Sequence, residues 1–577
     1  MSADTVATTK TACPYCGVGC GVLVDTAADG GLSVRGDPEH PANYGRLCSK
    51  GAALAETLSL DDRLLTPEIG GQPASWDTAI ARIAGEFSKA IAEHGPNSVA
   101  FYGSGQLLTE DYYLLNKLAK GFVDTANIDT NSRLCMASSV AGHKRAFGSD
   151  TVPGCYEDLD QADLFVLVGS NAAWCHPVLY QRMIAAKEAN PARRLIVIDP
   201  RRTETCDGAD LHLALRPGSD AVLFNGLLAH LNRCGAIDEA FVAARTYGYG
   251  ETLAGCSTQS VEETAHICGL PLGSVQLFFD WFAKTARTVT LYSQGVNQST
   301  SGTDKVNAII NCHLLTGRIG QPGAGPFSLI GQPTAMGGRE VGGLANQLAA
   351  HMDLANPEHR ALVQWFWDAP RIAAEAGLMA VDMIDTMRED RIKAVWILST
   401  NPLVSLPDVS RARAALAACP FVVVSDCVRS ADTVPFAHVL LPAAAWGEKN
   451  GTVTNSERRI SRQRAFLPAP GEAKPDWQAV RDVARAMGYD GFAHASPADV
   501  VREHAAMSAF ENGGKRDFDL AGLQHISDAD YDRLSPVQWP VRARRRHARL
   551  RRRALFHARP QGALYCGDAA PAGKCDE

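Results

Sequence analysis

From about residue 55 onward, short apolar runs alternate with stretches whose apolar residues recur at helical spacing. This is the signature of α/β units on parallel sheets, because strands buried on both faces read as continuous apolar runs while their covering helices show a stripe. Four of the runs end in residues suited to a ligand. Residues 162–168 lead into Gly169-Ser170-Asn171, and 195–198 into Asp199-Pro200-Arg201-Arg202-Thr203. Residues 395–398 lead into Ser399-Thr400-Asn401-Pro402, and 421–424 into Ser425-Asp426. Open α/β sheets bind ligands beyond the carboxyl ends of their strands. Each turn alone is ordinary turn chemistry, but four in one chain point to a nucleotide-bearing cofactor. No G-x-G-x-x-G follows a strand and no G-x-x-x-x-G-K-[ST] occurs, which disfavours NAD through its usual fingerprint and ATP.

The chain's 577 residues are enough for about four structural units, and no apolar run approaches the ~20 residues of a membrane span. The net charge of −7 conceals a division: the last 37 residues hold ten bases against three acids, so the first 540 stand at −14. An acidic body argues against a nucleic-acid surface spread over the chain. Sixteen cysteines are too dilute here for a disulfide scaffold, and Met1–Lys10 carries no apolar export signal or twin-arginine pair. The expectation is a cytoplasmic protein with reduced thiols, no nucleic-acid partner and no membrane segment.

Four cysteines change the picture most. Cys13, Cys16, Cys20 and Cys48 form a C-x2-C-x3-C-x27-C arrangement. Three crowded thiolates on a Gly-rich turn plus one distant ligand suit a [4Fe-4S] core, with Gly17 and Gly19 allowing close backbone approach. Structural zinc is the competing reading, although zinc ribbons usually pair two C-x2-C units. Lys50, two residues after Cys48, reads on its own as a solvated lysine. In the Gly- and Pro-rich stretch 318–344, Arg339 offers a planar donor fork for a small oxyanion; an ion pair with a carboxylate such as Glu340 fits equally well.

With these motifs in view the chain resembles the molybdenum bis-(molybdopterin guanine dinucleotide) oxidoreductases, and within them the cytoplasmic assimilatory nitrate reductases. The resemblance runs from Cys13 to about Val541. It rests on the cysteine motif with Leu47-Cys48-Ser49-Lys50-Gly51, on Asn131-Ser132-Arg133-Leu134-Cys135-Met136-Ala137-Ser138-Ser139-Val140, on Gln332 through Gly343, and on Trp446-Gly447-Glu448-Lys449-Asn450-Gly451. It implies a small N-terminal iron–sulfur domain (1–58), an α/β pterin-binding domain in two segments (59–150 and 325–540) and an α/β guanosine-binding domain (151–324). A C-terminal β-barrel-type domain is expected to be missing, and 541–577 to be an atypical Arg-rich tail, arising from a reading-frame shift.

The resemblance further implies that Cys135 ligates molybdenum and that Lys50 lies between cluster and pterin. Arg339 would orient nitrate, with Gln332 and Met136 lining the pocket. Pterin or guanosine contacts would come from Gln106, Asn131, Gly169, Ser170, Asn171, Asp199, Arg201, Thr203, Gly218, Asp220, Gln294, Gln298, Asn401, Ser425, Asp426, Lys449 and Asp476. The implied reaction is two-electron reduction of nitrate to nitrite by oxygen-atom transfer. Electrons would come from a ferredoxin, a flavodoxin or an NADH-dependent flavoprotein subunit. Two alternatives stand beside it: a formate dehydrogenase of the same family, against which the Cys135-Met136 pair speaks because histidine would be expected after the cysteine, and a non-catalytic iron–sulfur electron-transfer subunit.

Overall fold

A computed structural model describes residues 5–542 and the pair 562–563. Most of the tail expected at 541–577 therefore lies outside the described residues. The chain forms two compact units. The first comprises 1–134, 332–455 and 459–546; the second comprises 135–331, 456–458 and 547–577. The cluster segment thus belongs to the first unit. Among the described residues no helix is long and apolar enough to cross a membrane.

The first unit opens with a three-stranded antiparallel sheet, Thr5–Ala12, Gly21–Ala27 and Leu32–Gly36, and the first three cysteines sit on the loop joining its first two strands. Its main sheet has seven strands in the order 72–73, 68–69, 439–442, 421–426, 394–398, 99–103 and 128–130. The five strands from Val439–Pro442 to Ile128–Thr130 pair in parallel, and at one edge the 68–73 hairpin adds two antiparallel pairings, of which strand 68–69 runs the other way. Val99–Gly103 and Ala394–Leu398 are buried along their whole length, which is why both read as unbroken apolar runs. The chain lays down 99–103 and 128–130 on one side and then returns to add 394–398, 421–426 and 439–442 on the other. The crevice of this sheet therefore opens between the carboxyl ends of 99–103 and 394–398. A smaller antiparallel sheet, Gly451–Thr454, Arg459–Gln463 and Val537–Gln538, completes the unit.

Helix Trp76–His94 covers one face of the main sheet with Trp76, Ile80, Ile83 and Phe87, a stripe at helical spacing. It begins at Ser75, whose side chain accepts the Thr78 N–H, and ends at Gly95 with φ of 82°. Phe87 is fully buried and meets Phe101, Trp396 and Phe421 edge-on, with ring centroids 5.8, 6.5 and 6.3 Å away. Phe87→Ala removes the centre of this aromatic cluster and is expected to destabilise the chain by about 3–5 kcal/mol. A denaturant titration checks it, the midpoint falling without a comparable change in slope.

The second unit is built on a five-stranded, wholly parallel sheet in the order 211–213, 194–198, 164–168, 288–292 and 325–328. The chain adds Arg194–Ile198 and Leu211–Leu213 to one side of Leu164–Val168, then crosses to add Thr288–Tyr292 and Gly325–Ser328 to the other. The crevice accordingly opens beyond Val168 and Tyr292.

Candidate functional site

The cysteine loop is a tight turn in the first unit. Cys13 N–H donates to Cys20 O at 2.8 Å, Gly19 N–H donates to Cys16 O at 3.2 Å, and Gly19 takes a φ of +66°. Cys13 and Cys20 are buried; Cys16 and Cys48 are half-buried. Burial pushes the Cys13 thiol up to about 12, and the like charges of Cys16 and Cys48 add to this while Lys50 works against it. Cys20 is raised well above the ordinary thiol value by burial and then by Cys16, Cys13 and Cys48. Cys13 and Cys20 thus each lie within electrostatic reach of the other three cysteines, and burial opposes the ionisation of both unless a cation is bound there. Lys50 is exposed, with its ammonium 6.0 Å from the Tyr15 ring centroid.

At the crevice of the first unit, Asn131 ties the strand ends together. Its Oδ1 accepts Gly105 N–H at 3.1 Å, and its Nδ2 donates to Thr400 Oγ1 at 3.3 Å and Ser104 Oγ at 3.5 Å. Ser132 Oγ donates to Gln332 Oε1 at 3.0 Å, and a side chain on Gly105 would strike that glutamine. Gln106 is exposed at the rim. Asn401 is held by Asp432 and Thr433. Ser425 Oγ accepts the Trp396 indole N–H at 2.9 Å inside the core. Asp426 accepts the amides of Cys427 and Val428, and burial raises its carboxyl above the ordinary value.

Lys449 Nζ lies 2.9 Å from Asp476 Oδ2 and 3.6 Å from Asp111 Oδ2, all three fully buried. Burial works against the lysine's charge, but Asp476 and Asp111 outweigh it and hold the ammonium above its usual value. Asp476 Oδ1 has no partner despite 1% exposure. A buried carboxylate oxygen left so costs free energy until a donor arrives.

The Gly-rich loop is seated on residues that its own composition does not reveal. Lys120 is fully buried and donates to the carbonyls of Gly342, Leu344 and Gln347 at 2.7, 2.8 and 2.6 Å. Asn116 Nδ2 donates to Val341 O at 2.6 Å, and Gly338 lies so close to the Tyr112 ring that a Cβ would fall 2.9 Å from it, while one on Gly343 would lie 3.0 Å from Gly338 O and 3.1 Å from the ring. Arg339, on the short helix Ala335–Glu340, is 2% exposed, with Nη2 at 2.9 Å from Met336 Sδ. The Glu340 oxygens accept from Trp539 Nε1 at 2.6 Å and Thr454 Oγ1 at 2.9 Å.

In the second unit, Cys135 lies in the first turn of helix Ser132–Phe147. Gln294 Nε2 donates to its Sγ at 3.3 Å, and a side chain on Gly331 would come within 3.7 Å of the same sulfur. Met136 is buried, its Sδ 3.6 Å from Asn297 Nδ2. At this unit's crevice Gly169 (φ +53°) meets Gly295 backbone to backbone: a Cβ on Gly169 would lie 2.7 Å from Gly295, and one on Gly295 2.6 Å from Gly169. Ser170 Oγ is buried without a partner. Asn171 accepts the Thr205 hydroxyl, and Thr203 is buried nearby in sequence. Asp199 accepts the Arg201 amide at 2.9 Å. Asp220, in contrast, is buried in an ion pair with Lys305 at 2.8 Å and is thereby committed to the core. Gly218, Arg201 and Gln298 are exposed.

One buried acid lies outside these sites. Glu110 accepts Thr452 N–H, Thr452 Oγ1 and Tyr531 OH at 2.9, 3.0 and 2.9 Å, and burial pushes it up to about 7. The folded chain therefore holds this proton more tightly than the unfolded one, so stability falls as pH rises from about 4.5 to 7. Glu110→Gln is expected to reduce that fall, measured as the wild-type-to-variant difference in unfolding free energy at pH 5 and pH 7.5.

Comparison with known proteins closes the picture. The molybdopterin oxidoreductase family matches residues 63–486, and the molybdopterin oxidoreductase Fe4S4 domain matches 6–59. A nitrate reductase of Klebsiella oxytoca is 55% identical over 534 residues, which is 92% of this chain and 61% of that protein. A nitrate reductase of Synechocystis sp. is 40% identical over 551 residues, covering 93% of this chain and 76% of that protein. The fold matches acetylene hydratase from Pelobacter acetylenicus with a TM-score of 0.75 at 19% identity, over 97% of this chain and 77% of the other. The two family matches imply a molybdenum–molybdopterin cofactor and a [4Fe-4S] cluster. The residues present fit both groups: a cysteine loop whose buried Cys20 feels the charges of Cys13, Cys16 and Cys48, a close backbone contact between Gly169 and Gly295 at the strand ends, and unpartnered buried oxygens on Ser170 and Asp476.

Proposed function

This chain belongs to the molybdopterin oxidoreductase family, and from that premise we propose that it is the catalytic part of an assimilatory nitrate reductase, converting nitrate, two protons and two electrons to nitrite and water. The observation that carries the reading is Cys135 followed by Met136, with Gln294 donating to the Cys135 sulfur. The high identity to nitrate reductases supports the substrate, and the chain spans 61% of the Klebsiella protein's length. The cofactor is proposed to be the bis-guanine dinucleotide form, the location cytoplasmic, and the electron donor a ferredoxin, a flavodoxin or an NADH-dependent flavoprotein.

When bound, the molybdenum cofactor supplies a metal that changes oxidation state by two while accepting an oxygen atom. Cys135 is its protein ligand, and the Gln294 N–H on the sulfur fixes the thiolate's orientation and moderates its charge. Arg339 attracts and orients the nitrate anion, its fork aligned by the loop that Lys120 and Tyr112 hold in place. Gln332, braced by Ser132, offers an amide to a nitrate oxygen, and Met136 contributes an apolar wall. Asp476 and Lys449 hold a guanine edge in one unit, while Ser170 and the Gly169–Gly295 crevice receive a dinucleotide in the other. Cys13, Cys16, Cys20 and Cys48 hold the cluster through which electrons enter singly.

The test is an anaerobic assay of purified chain with a reduced viologen dye and nitrate, beside a formate-oxidation assay. Nitrite formation without formate oxidation is expected. Formate oxidation without nitrite formation would replace this reading with the formate dehydrogenase one.

A further inference from the structure

We propose that Asn455 is a positioning residue for the iron–sulfur cluster, fixing the peptide unit between Val18 and Gly19 so that its carbonyl points away from the iron core. The inference rests on the Fe4S4 domain itself and is independent of the substrate.

Val18 and Gly19 lie between the ligands Cys16 and Cys20. Their shared peptide is held at both ends: Gly19 N–H donates to Cys16 O at 3.2 Å, and Val18 O accepts from Asn455 Nδ2 at 3.0 Å. Asn455 has little freedom. It is 1% exposed, its Oδ1 accepts Arg459 N–H at 3.0 Å, and its own N–H donates to Arg459 O at 3.1 Å. The asparagine amide is thus oriented by the hairpin bearing Gly451–Thr454 and Arg459–Gln463, and presents its N–H2 to the ligand loop. Contact is close enough that a Cβ on Gly19 would fall 2.6 Å from Asn455 Cβ.

Three further ties lie beside the ligand turn. Trp446 Nε1 donates to Ala12 O at 2.8 Å, Asn43 exchanges hydrogen bonds with Gly21, and His40 Nε2 meets Ser461 Oγ at 3.1 Å. Only Asn455 among these touches the stretch between two ligands. That stretch is also the easiest to turn over, because Gly19 at φ +66° has no Cβ to resist rotation of the preceding peptide. A peptide turned over would break the Gly19 N–H bond to Cys16 O and turn the Val18 carbonyl oxygen into the ligand turn. N–H donors stabilise the reduced, more negative core, and a carbonyl oxygen destabilises it. Asn455 therefore keeps the potential higher than the loop would set unaided.

Redox titration of the intact, cluster-loaded chain followed by electron paramagnetic resonance reads this directly. Asn455→Ala and Asn455→Leu remove the donor without adding charge; Ser461→Ala, in the same hairpin but directed at His40, is the control. A lower cluster potential in both Asn455 variants, with iron content retained and the Ser461→Ala potential unmoved, is the expected result. Loss of the cluster from both Asn455 variants while Ser461→Ala keeps it supports the proposal as well. An unchanged or raised potential with iron retained in either Asn455 variant overturns it, as does loss of the cluster or an equal shift in Ser461→Ala, which would make the hairpin as a whole responsible.

Discussion

Replacing Cys135 with serine will abolish nitrite formation while leaving the iron–sulfur cluster in place. A thiolate is a soft, polarizable ligand suited to a sulfur-rich metal site, and an alkoxide is hard. The serine oxygen is also poorly matched to an arrangement in which Gln294 Nε2 donates over 3.3 Å to a large sulfur atom. Residues that only orient a metal ligand cost about 10–100-fold when removed. Gln294→Ala should fall in that range, and loss of the ligand itself should exceed ~100-fold. The cluster cysteines lie in the other compact unit, so their spectroscopic signal should persist in Cys135→Ser. Retained turnover with molybdenum bound would show that Cys135 is not the ligand.

Gly169→Ala is expected to damage the second unit's crevice and to remove most of the bound cofactor. The new Cβ would lie 2.7 Å from the Gly295 backbone, and the residue would have to keep a φ of +53°. Left-handed backbone costs an ordinary residue roughly 1–2 kcal/mol, and overpacking a close contact about 1–3 kcal/mol. The strands can relieve the clash only by moving Gly169 and Gly295 apart, which breaks the 3.0 Å bond from Gly295 N–H to Gly169 O. Two measurements check this: the unfolding midpoint, which should drop, and molybdenum content, which should fall with it. Wild-type stability and full molybdenum in Gly169→Ala would mean that this glycine pair does not shape the cofactor site.

These predictions separate what composition and spacing reveal from what only the folded chain reveals. The cysteine spacing and the polar ends of apolar runs are local features, and the structure bears out the mixed α/β fold that the runs implied. Asp220 and Ser425 are among the cofactor contacts that the resemblance implies. In the structure Asp220 pairs with Lys305 and Ser425 Oγ accepts the Trp396 indole N–H, and neither of these partners, distant along the chain, is visible in the sequence. The same holds of Lys120 and Asn455. Neither stands in a recognisable motif, since Lys120 acts on carbonyls 222 to 227 positions away and Asn455 on one 437 positions away. Tyr112 accounts for Gly338 in the same manner: the glycine is visible in the sequence, but the ring beside it is not. A lysine within the apolar helical stretch around 112–123, or an asparagine directly after the strand Gly451–Thr454, is the available hint, and it does not say which loop it serves.

The central claim is that this chain reduces nitrate at molybdenum held through Cys135. X-ray absorption at the molybdenum edge, recorded on intact wild-type chain and on Cys135→Ser, with nitrite formation assayed on the same samples, tests it most directly. The account predicts a sulfur-rich molybdenum environment in the wild type that loses one sulfur neighbour in the variant, together with loss of nitrite formation. Identical metal environments with equal nitrite formation in the two proteins would contradict it.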